Sequence, residues 1–343
     1  MSAVTGSTIP TRAIRGGDID ASHERLQAAL IARYAPGTRR RSIRWSGGET
    51  QVLELGAGSP LLLVHGGLGA ASDWLPIFPA LAQNHRVLAP DRPGHGLASP
   101  MDYSGVDVLD HATAFLREVM KALGIDRAPI VANSMGGRWA IELALREPQR
   151  VERLILVGAP AGTRRSLPTD VAMMSWPLVG RIVRWFLGRS TPASARRFYR
   201  RTLVRHPERL DDLVCEEGAT AWRRNVRSHL SLIDAFLTRA GMRPALMIDE
   251  RWAGWRRLEV PATFIWGEQD VFGSPEIADR IAPLVPAGAT VVRVPDAGHL
   301  PWLDDPLSVA REIAAALEGG GRRHADAPNT TVPDWNGPTR GGG

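Results

Sequence analysis

The chain of 343 residues contains a single cysteine, Cys215. One cysteine can form neither an intramolecular disulfide nor a cysteine-based zinc site, and this scarcity is typical of proteins that fold in a reducing compartment. The N-terminal segment also lacks the apolar core of a secretory signal peptide. We therefore predict a cytoplasmic protein.

Long apolar runs are missing as well, since no run approaches the roughly 18 apolar residues that cross a bilayer. The excess of positive over negative residues is small, because 42 Lys and Arg against 36 Asp and Glu give a formal net charge of +6. The chain has no basic helix with interleaved aromatic residues and no nucleic-acid-binding motif. The sequence thus predicts neither a membrane span nor a nucleic-acid partner, and it leaves homo-oligomerisation open.

The chain does contain strand-like and helical segments in alternation. Apolar runs predict strands at 40–45, 50–55, 60–67, 85–96, 128–133, 151–162, 260–270 and 289–299. Amphipathic spacing predicts helices at 21–35, 106–123, 134–147, 275–285 and 304–319. Such alternation is typical of an α/β fold, with helices on both faces of a mostly parallel sheet.

The strand signals lapse between 163 and 255, where the chain is rich in Arg and Trp and has helical spacing throughout. We predict that 38–162 and 256–319 form the α/β core and that 163–255 forms a helical insertion. Residues 1–37 are predicted to be an N-terminal extension with one helix. Residues 320–343 are rich in Gly and Pro and are predicted to be a disordered tail.

Ser134 stands between a predicted strand and a predicted helix, in the string Val-Ala-Asn-Ser-Met-Gly-Gly. Ligands of α/β sheets bind beyond the carboxyl ends of the strands, which makes this position a candidate for chemistry. A nucleophile elbow has the frame Gly-x-Ser-x-Gly, because its sharp turn leaves room only for small residues two positions before and after the serine. Gly136 meets the second requirement, and Ala132 meets the first with one added methyl group. A serine at a helix start is also a common N-cap, so both interpretations stay open at this point.

A serine hydroxyl becomes a nucleophile when a base takes its proton and a carboxylate orients the base. Of the nine histidines, only His299 and His324 lie beyond the strand–helix alternation that would bring the acid, and His324 lies in the predicted tail. His299 is the predicted base, with a purely structural histidine as the alternative. Asp270, just past its strand, is the first candidate for the acid and Glu268 the second, whereas Asp296 is predicted to close a turn.

A glycine-rich turn, His-Gly-Gly-Leu-Gly, begins at His65 directly after a buried strand. Backbone N–H groups in such a turn can approach a substrate oxygen closely. We predict that the N–H of Gly67, or otherwise that of Leu68, forms one half of an oxyanion hole. The N–H of Met135, at the start of the following helix, is the predicted other half. His65 itself is interpreted as a structural brace of the turn.

Five strings together resemble the α/β-hydrolase fold superfamily, in its lid-bearing serine hydrolase branch: HGGLG, DRPGHG, NSMGG, WGEQD and GHLPWLDDP. The resemblance covers about residues 38–318. It implies an eight-stranded, mostly parallel sheet flanked by helices, with a helical cap inserted after the sixth strand. It also implies a mechanism without a cofactor, in which Ser134 is the nucleophile, Asp270 the acid and His299 the base, with Gly67 and Met135 in the oxyanion hole.

The main hypothesis is a serine hydrolase that forms an acyl-enzyme, in particular a carboxylesterase acting on a small or medium hydrophobic ester. The NSMGG string is similar to that of the meta-cleavage C–C bond hydrolases, so C–C bond hydrolysis is the alternative. A non-catalytic ligand-binding protein on the same fold is the third hypothesis. The stretch 171–188, rich in Met and Trp, is predicted either to pack the cap onto the core or to line an apolar mouth for the substrate.

Overall fold

The structure is a computed structural model that describes residues 16–176, 182, 185 and 188–319. Residues 1–15 of the N-terminal extension, most of 177–187 and the predicted tail at 320–343 lie outside the described residues. The described strands are β1 (Arg39–Trp45), β2 (Gly48–Leu55), β3 (Ser59–Val64), β4 (His85–Pro90), β5 (Ala128–Asn133), β6 (Val151–Val157), β7 (Leu237–Thr238), β8 (Gly241–Met242), β9 (Ala262–Gly267) and β10 (Ala289–Val294).

The described α-helices are α1 (Gly16–Tyr34), α2 (Phe78–Leu81), α3 (Val108–Ala122), α4 (Ser134–Arg146), α5 (Thr169–Ala172), α6 (Pro192–Phe198), α7 (Asp212–Phe236), α8 (Glu276–Ile281), α9 (Pro301–Asp304) and α10 (Pro306–Leu317). Short 3₁₀ turns cover Ala71–Ile77, Pro148–Arg150, Met173–Ser175, Pro244–Leu246, Ala253–Arg257 and Ala282–Leu284, and a π-helical turn covers Tyr199–Leu203. Within the described ranges, none of these helices combines the length and the apolar character needed to cross a bilayer.

Eight strands form one sheet in the order β1-β2-β4-β3-β5-β6-β9-β10. The β1–β2 and β2–β4 pairs are antiparallel, and every other pair is parallel. The predicted eight-stranded, mostly parallel α/β-hydrolase architecture is therefore confirmed, with the insertion leaving the sheet after β6 and returning at β9.

Strand β3 is apolar and buried from Leu61 to Val64, because both faces of the sheet are covered there. Leu62 and Val64 belong to a core that includes side chains of α3 and α4, such as Phe115. Leu61 and Leu63 belong to a second core on the opposite face, which includes side chains of α10. Successive strand residues point to opposite faces, so a strand buried on both sides has no polar positions.

The parallel strands β3, β5, β9 and β10 end at the same edge of the sheet. The glycine-rich turn follows β3, Ser134 follows β5, Asp270 lies three residues beyond β9, and His299 lies on the loop after β10. The topology thus brings the four predicted elements of the site to one edge.

The inserted segment, 163–255, contains α5, α6 and the 25-residue helix α7. Among its described residues it differs from the helical expectation where β7 and β8 form a hairpin, in which Gly241, the first residue of β8, has φ +101°. Strands of two residues are too short to produce a sequence period. We call this segment the cap.

Helix α1 packs along the cap helix α7. The helix is predicted at 21–35, and the structure begins it earlier, at Gly16. Polar contacts join the two helices along their length. Asp20 contacts Arg224 at 2.6 Å, His23 Nε2 lies 2.7 Å from Glu217 Oε1, and Asp211 accepts from Tyr34 Oη at 3.0 Å and pairs with Arg33. The N-terminal helix therefore supports the cap as well as the core.

Candidate active site

Ser134 lies at a sharp turn between β5 and α4. Its φ angle is +50°, a left-handed conformation that non-glycine residues adopt rarely and at an energetic cost. The residue at the N-cap of α4 is Asn133, which argues against the interpretation of Ser134 as an N-cap. The strained turn is the conformation expected of a nucleophile elbow.

The residues two positions from Ser134 explain how this turn fits. A Cβ atom on Gly136 would lie 2.4 Å from the carbonyl oxygens of Val64 and His65, so this position requires glycine. Ala132 is fully buried in β5 and belongs to the hydrophobic core. Its methyl group is therefore accommodated by packing.

His299 and Asp270 are hydrogen-bonded side chains, with Nδ1 of His299 2.8 Å from Oδ2 of Asp270. Because an ionised carboxylate only accepts, Nδ1 carries the hydrogen and Nε2 has a free lone pair. The ring of Phe272 packs on the imidazole with ring centroids 4.2 Å apart. Both partners are buried, so the imidazole is held in one orientation.

Backbone groups hold the Asp270 carboxylate in place. Its Oδ2 also accepts from the N–H of Ala159 at 2.9 Å, and its Oδ1 accepts from the N–H of Phe272 at 2.8 Å. The second candidate acid, Glu268, is exposed. Asp296 is exposed in a turn at φ +50° and contacts His206 of the cap at 2.7 Å. Of the three candidate acids, Asp270 is the one that contacts His299.

The turn after β3 is held by hydrogen bonds to its first glycine. The carbonyl oxygen of Gly66 accepts from the Arg92 guanidinium at 2.7 Å and lies 2.9 Å from Nδ1 of His65. Nε2 of His65 accepts from the backbone N–H of Arg92 at 2.9 Å, so His65 acts as the predicted brace. In a trans peptide the C=O and N–H point in opposite directions. Fixing the carbonyl of Gly66 therefore aims the N–H of Gly67 away from Arg92.

Arg92 lies in a fully buried group of basic side chains beneath this turn, with His65, His95 and His229. Burial and the Arg92 cation hold the pKa of His65 and that of His95 well below their usual range. The same two causes lower the pKa of His229 to about 3. Burial lowers the pKa of Arg92 to about 10, which still leaves it charged at neutral pH. The three histidines are therefore neutral around one cation.

One cavity, with an empty volume of about 940 Å³ including its mouth, is lined by Ser134 and His299. Gly67, Met135 and Asp73 line it as well. The cap contributes mainly apolar side chains to its wall: Met174, Phe198, Ile233, Phe236, Leu237 and Met242. Within the described ranges, no group of three or more His, Cys, Asp or Glu side chains is arranged to hold a metal ion.

Two supporting residues were not singled out from the sequence. Arg92 stands in the DRPGHG string, where an arginine in a Pro- and Gly-rich turn directly after a buried strand is the available signal. Asp304 is buried in α9 and accepts from the N–H groups of Gly298, Arg205 and His206, each at 2.8 Å. Asp304 thus ties the loop of the predicted base to the cap.

The loop after β10, which carries His299, is also tied to the segment that follows β3. Trp302 stacks on Trp74 with ring centroids 4.1 Å apart, and its indole N–H donates to the carbonyl oxygen of Asp73 at 2.7 Å. A hydroxyl at a strained turn, an oriented imidazole and a glycine-rich turn therefore face one cavity. This arrangement can support proton transfer from the hydroxyl and attack on a carbonyl carbon.

Known proteins share this fold and parts of this sequence. The family model described as the alpha/beta hydrolase fold matches residues 59–306. The 2-hydroxymuconate semialdehyde hydrolase of Pseudomonas sp. (strain CF600) is 41% identical over 125 residues. That match covers 35% of this chain and 43% of the relative, so the chain spans less than half the length of that protein.

Solved structures match over more of the chain. The carboxylesterase CesB (YbfK) from Bacillus subtilis has a TM-score of 0.67 at 20% identity, covering 88% of this chain and 99% of that one. A meta-cleavage product hydrolase from Pseudomonas fluorescens IP01 has a TM-score of 0.62 at 22% identity, covering 81% and 97%. At these identities the likeness is one of fold. With the family model matching most of its length, the chain belongs to the α/β-hydrolase fold family.

Proposed function

We propose that the protein is a serine hydrolase that cleaves carboxylic esters through an acyl-enzyme. Ser134 is the nucleophile, His299 the base and Asp270 the acid that orients it. The N–H groups of Gly67 and Met135 form the oxyanion hole. The observation that carries this proposal is that the strained Ser134 and the Asp270-bound His299 line the same cavity.

The reaction proceeds in two halves. In the first, Oγ of Ser134 bonds to the ester carbonyl carbon while Nε2 of His299 takes the hydroxyl proton. The carbonyl π electrons move onto the oxygen, which the two N–H groups stabilise. As the tetrahedral intermediate collapses, the C–O bond to the alcohol breaks and the imidazolium returns its proton to the leaving oxygen. In the second half, His299 takes a proton from a water molecule that attacks the acyl carbon. The bond to Oγ of Ser134 then breaks, the proton returns to Oγ, and the carboxylic acid product is released.

Asp270 stabilises the imidazolium that forms in both halves. Its carboxylate is fixed by the N–H groups of Ala159 and Phe272, so it holds the imidazole without moving. Burial of the pair strengthens this charge interaction relative to water. The same hydrogen bond selects the tautomer in which Nε2 accepts the serine proton.

The substrate that fits best is a small or medium ester with a hydrophobic part. The wall contributed by the cap is apolar, with flexible methionines among its side chains. Such a wall favours aliphatic or aromatic groups of the substrate. The partner is then a small molecule. The cytoplasmic location and any homo-oligomer stay predictions from the sequence.

Labelling with a fluorophosphonate tests the proposed nucleophile. The wild-type protein should be labelled at Ser134, and Ser134→Ala should not be labelled. Ser72→Ala is the matched control, because Ser72 is buried beside the same turn but its hydroxyl donates to Glu217. Absence of labelling in the wild type contradicts the enzyme proposal, and labelling that survives in Ser134→Ala contradicts the choice of serine.

Hydrolysis of a C–C bond in a diketone-like substrate is the second candidate. It is favoured by the local identity to 2-hydroxymuconate semialdehyde hydrolase and by Asn133 in the NSMGG string. Two assays separate ester hydrolysis from C–C hydrolysis. One uses nitrophenyl esters of increasing acyl length, and the other follows the absorbance of a dienone that is the product of ring cleavage. If the protein turns over the dienone and hydrolyses none of the esters, the assignment moves to C–C hydrolysis. Labelling without turnover of either class would favour the third hypothesis, a binding protein.

A further inference from the structure

Asp73 lines the active-site cavity and has no part in the proposed mechanism. It lies on the 3₁₀ turn Ala71–Ile77, directly after the glycine-rich turn, and is partly accessible. Its Oδ2 accepts from the backbone N–H of Ala70 at 3.1 Å. Its Oδ1 has no hydrogen-bond partner in the part of the chain that the structure describes. One carboxyl oxygen is therefore fixed and the other is available to a ligand.

Two other polar groups of the cavity wall are already engaged. The amide nitrogen of Asn133 donates to the carbonyl oxygen of Val157 at 2.7 Å. The hydroxyl of Thr163 donates to the carbonyl oxygen of Pro160 at 2.9 Å. Ser134 and His299 perform the chemistry. Asp73 is thus a polar side chain of this wall whose hydrogen-bonding capacity is not used within the described ranges.

The surroundings of Asp73 decide its protonation state. Burial, the Glu217 carboxylate from α7 and, more weakly, the Asp91 carboxylate raise the pKa of Asp73 to about 8, and the N–H of Ala70 opposes the rise. Tyr199 of the cap is close enough to feel the charge of Asp73, and the pKa of its phenol is raised well above its usual value, so the phenol is neutral and adds no charge beside Asp73. His23 of α1 is hydrogen-bonded to the same Glu217 carboxylate, and the basic residues that line the cavity with Asp73 are Arg164 and His299.

A carboxyl group that keeps its proton at neutral pH is a hydrogen-bond donor. Because Oδ2 accepts from Ala70, the proton belongs on Oδ1, which is the unpartnered oxygen. A donor in a mostly apolar wall is satisfied by an acceptor oxygen on the ligand. When it ionises, the same oxygen repels that acceptor.

We propose that Asp73 is a specificity-determining residue whose Oδ1 donates a hydrogen bond to a second oxygen of the substrate. The preferred substrates are then esters that carry an ether, hydroxyl or keto oxygen in addition to the scissile ester group. Plain alkyl esters of the same length leave this donor without a partner in the cavity, which is unfavourable. This inference rests on the proposed ester hydrolysis.

Matched ester pairs test the inference. Each pair has the same chain length and differs by replacement of one methylene with an ether oxygen, placed at successive positions of the acyl part in nitrophenyl esters and of the alcohol part in butyrate esters. The measured quantity is the ratio of kcat/KM for the oxygen-containing ester to that for the alkyl ester. Changes that affect both esters equally, such as a disturbed turn, cancel in this ratio.

Three variants accompany the wild type. Asp73→Asn keeps a donor and the acceptor for Ala70, whereas Asp73→Leu has a similar size and keeps neither. Asp102→Asn is the matched control, because Asp102 is an exposed aspartate that also accepts from a nearby backbone N–H, that of Ser104. Fluorophosphonate labelling of every protein reports the state of Ser134 separately.

We expect the wild type and Asp102→Asn to prefer the oxygen-containing ester by about tenfold at one position in the series, the size of one hydrogen bond. Asp73→Asn should retain part of the preference and Asp73→Leu should lose it. In the wild type the preference should decline as the pH rises through about 8, and in Asp73→Asn it should not change with pH.

Two results overturn the inference while leaving the hydrolase proposal intact. One is a labelled wild type that shows no preference at any position of the oxygen. The other is a preference that Asp73→Leu retains in full. A wild type that is neither labelled nor active on any ester contradicts the proposed function itself, so the two failures are distinguishable.

Discussion

Gly136 lies in the first turn of α4, against the carboxyl end of β3, and its replacement by alanine tests the structural basis of the elbow. The new Cβ would lie 2.4 Å from the carbonyl oxygens of both Val64 and His65 and 2.9 Å from the carbonyl carbon of Val64. Cβ atoms essentially never approach other atoms closer than 3.0 Å. The neighbours are backbone atoms of a central strand, which cannot rotate away. The strand and the helix must therefore separate, and the turn after β3 moves with them.

The magnitude follows from the packing. Overfilling a well-packed core costs about 1–3 kcal/mol, and we expect Gly136→Ala to reach about 3 kcal/mol because no flexible side chain can yield. Gly137→Ala is the matched control in the same turn, since its Cβ would meet its nearest atoms, in Leu156 and Pro160, at 3.5 Å. An ordinary contact, together with the better helix propensity of alanine, should leave this variant neutral or more stable by up to about 1 kcal/mol.

Urea unfolding gives the free energy of unfolding of both variants, and nitrophenyl ester hydrolysis gives kcat/KM. We expect Gly136→Ala to be far less stable than Gly137→Ala and to lose most of its activity, because Ser134 and the glycine-rich turn are displaced. In the same experiment Ala132→Gly should retain its kcat/KM while losing about 1–2 kcal/mol for one buried methyl group and a more flexible strand. Equal stability and activity of the two alanine variants would refute the reasoning about the elbow.

Two further predictions concern the buried basic group beneath the turn. Arg92→Met removes the guanidinium donor to the carbonyl oxygen of Gly66 and should lower kcat roughly tenfold or more with a smaller change in KM, since the Gly67 N–H loses its orientation; an unchanged kcat in a folded variant contradicts this. The pKa of His229 is lowered from 6.5 to about 3 in the folded protein. As the pH falls below 6.5, this imidazole is therefore protonated in the unfolded chain before it is protonated in the folded protein. The free energy of unfolding is highest above pH 6.5 and decreases toward pH 3. His229→Leu should flatten the acid limb of the free energy of unfolding against pH, and an unchanged slope contradicts the assignment.

The elements of the core could be predicted where local sequence and burial agree. Strand β5 has its predicted bounds, because its six residues are apolar or small and all of them are buried. The C-terminal helix, predicted at 304–319, is shorter: α10 covers Pro306–Leu317, and the separate helix α9 ends at Asp304. The break falls at Asp305, whose side chain accepts from the N–H of Ser308 at 3.0 Å and whose backbone is kept from the helical region by Pro306. The Asp-Pro step was the available signal.

The site was predictable to the extent that it depends on strand ends and chain order. Ser134, Asp270 and His299 follow strands of one parallel sheet, and such positions lie at one edge in any chain with this topology. The contact of Arg92 with Gly66 joins residues 26 apart, and that of His23 with Glu217 joins residues 194 apart. Contacts of this kind leave no local period in the sequence, so they emerge only when the fold is known.

The support that α1 gives to the cap has a consequence for recombining this protein with its relatives. The match to the family model begins at residue 59, yet α1 ends at Tyr34 and buries His23 and Gln27 completely. A chimaera that exchanged only the cap would leave His23 facing a foreign helix and the incoming helix without the hydrogen bond that Glu217 now has. Helix α1 and helix α7 therefore form one exchangeable module, although most of the sheet lies between them in the chain.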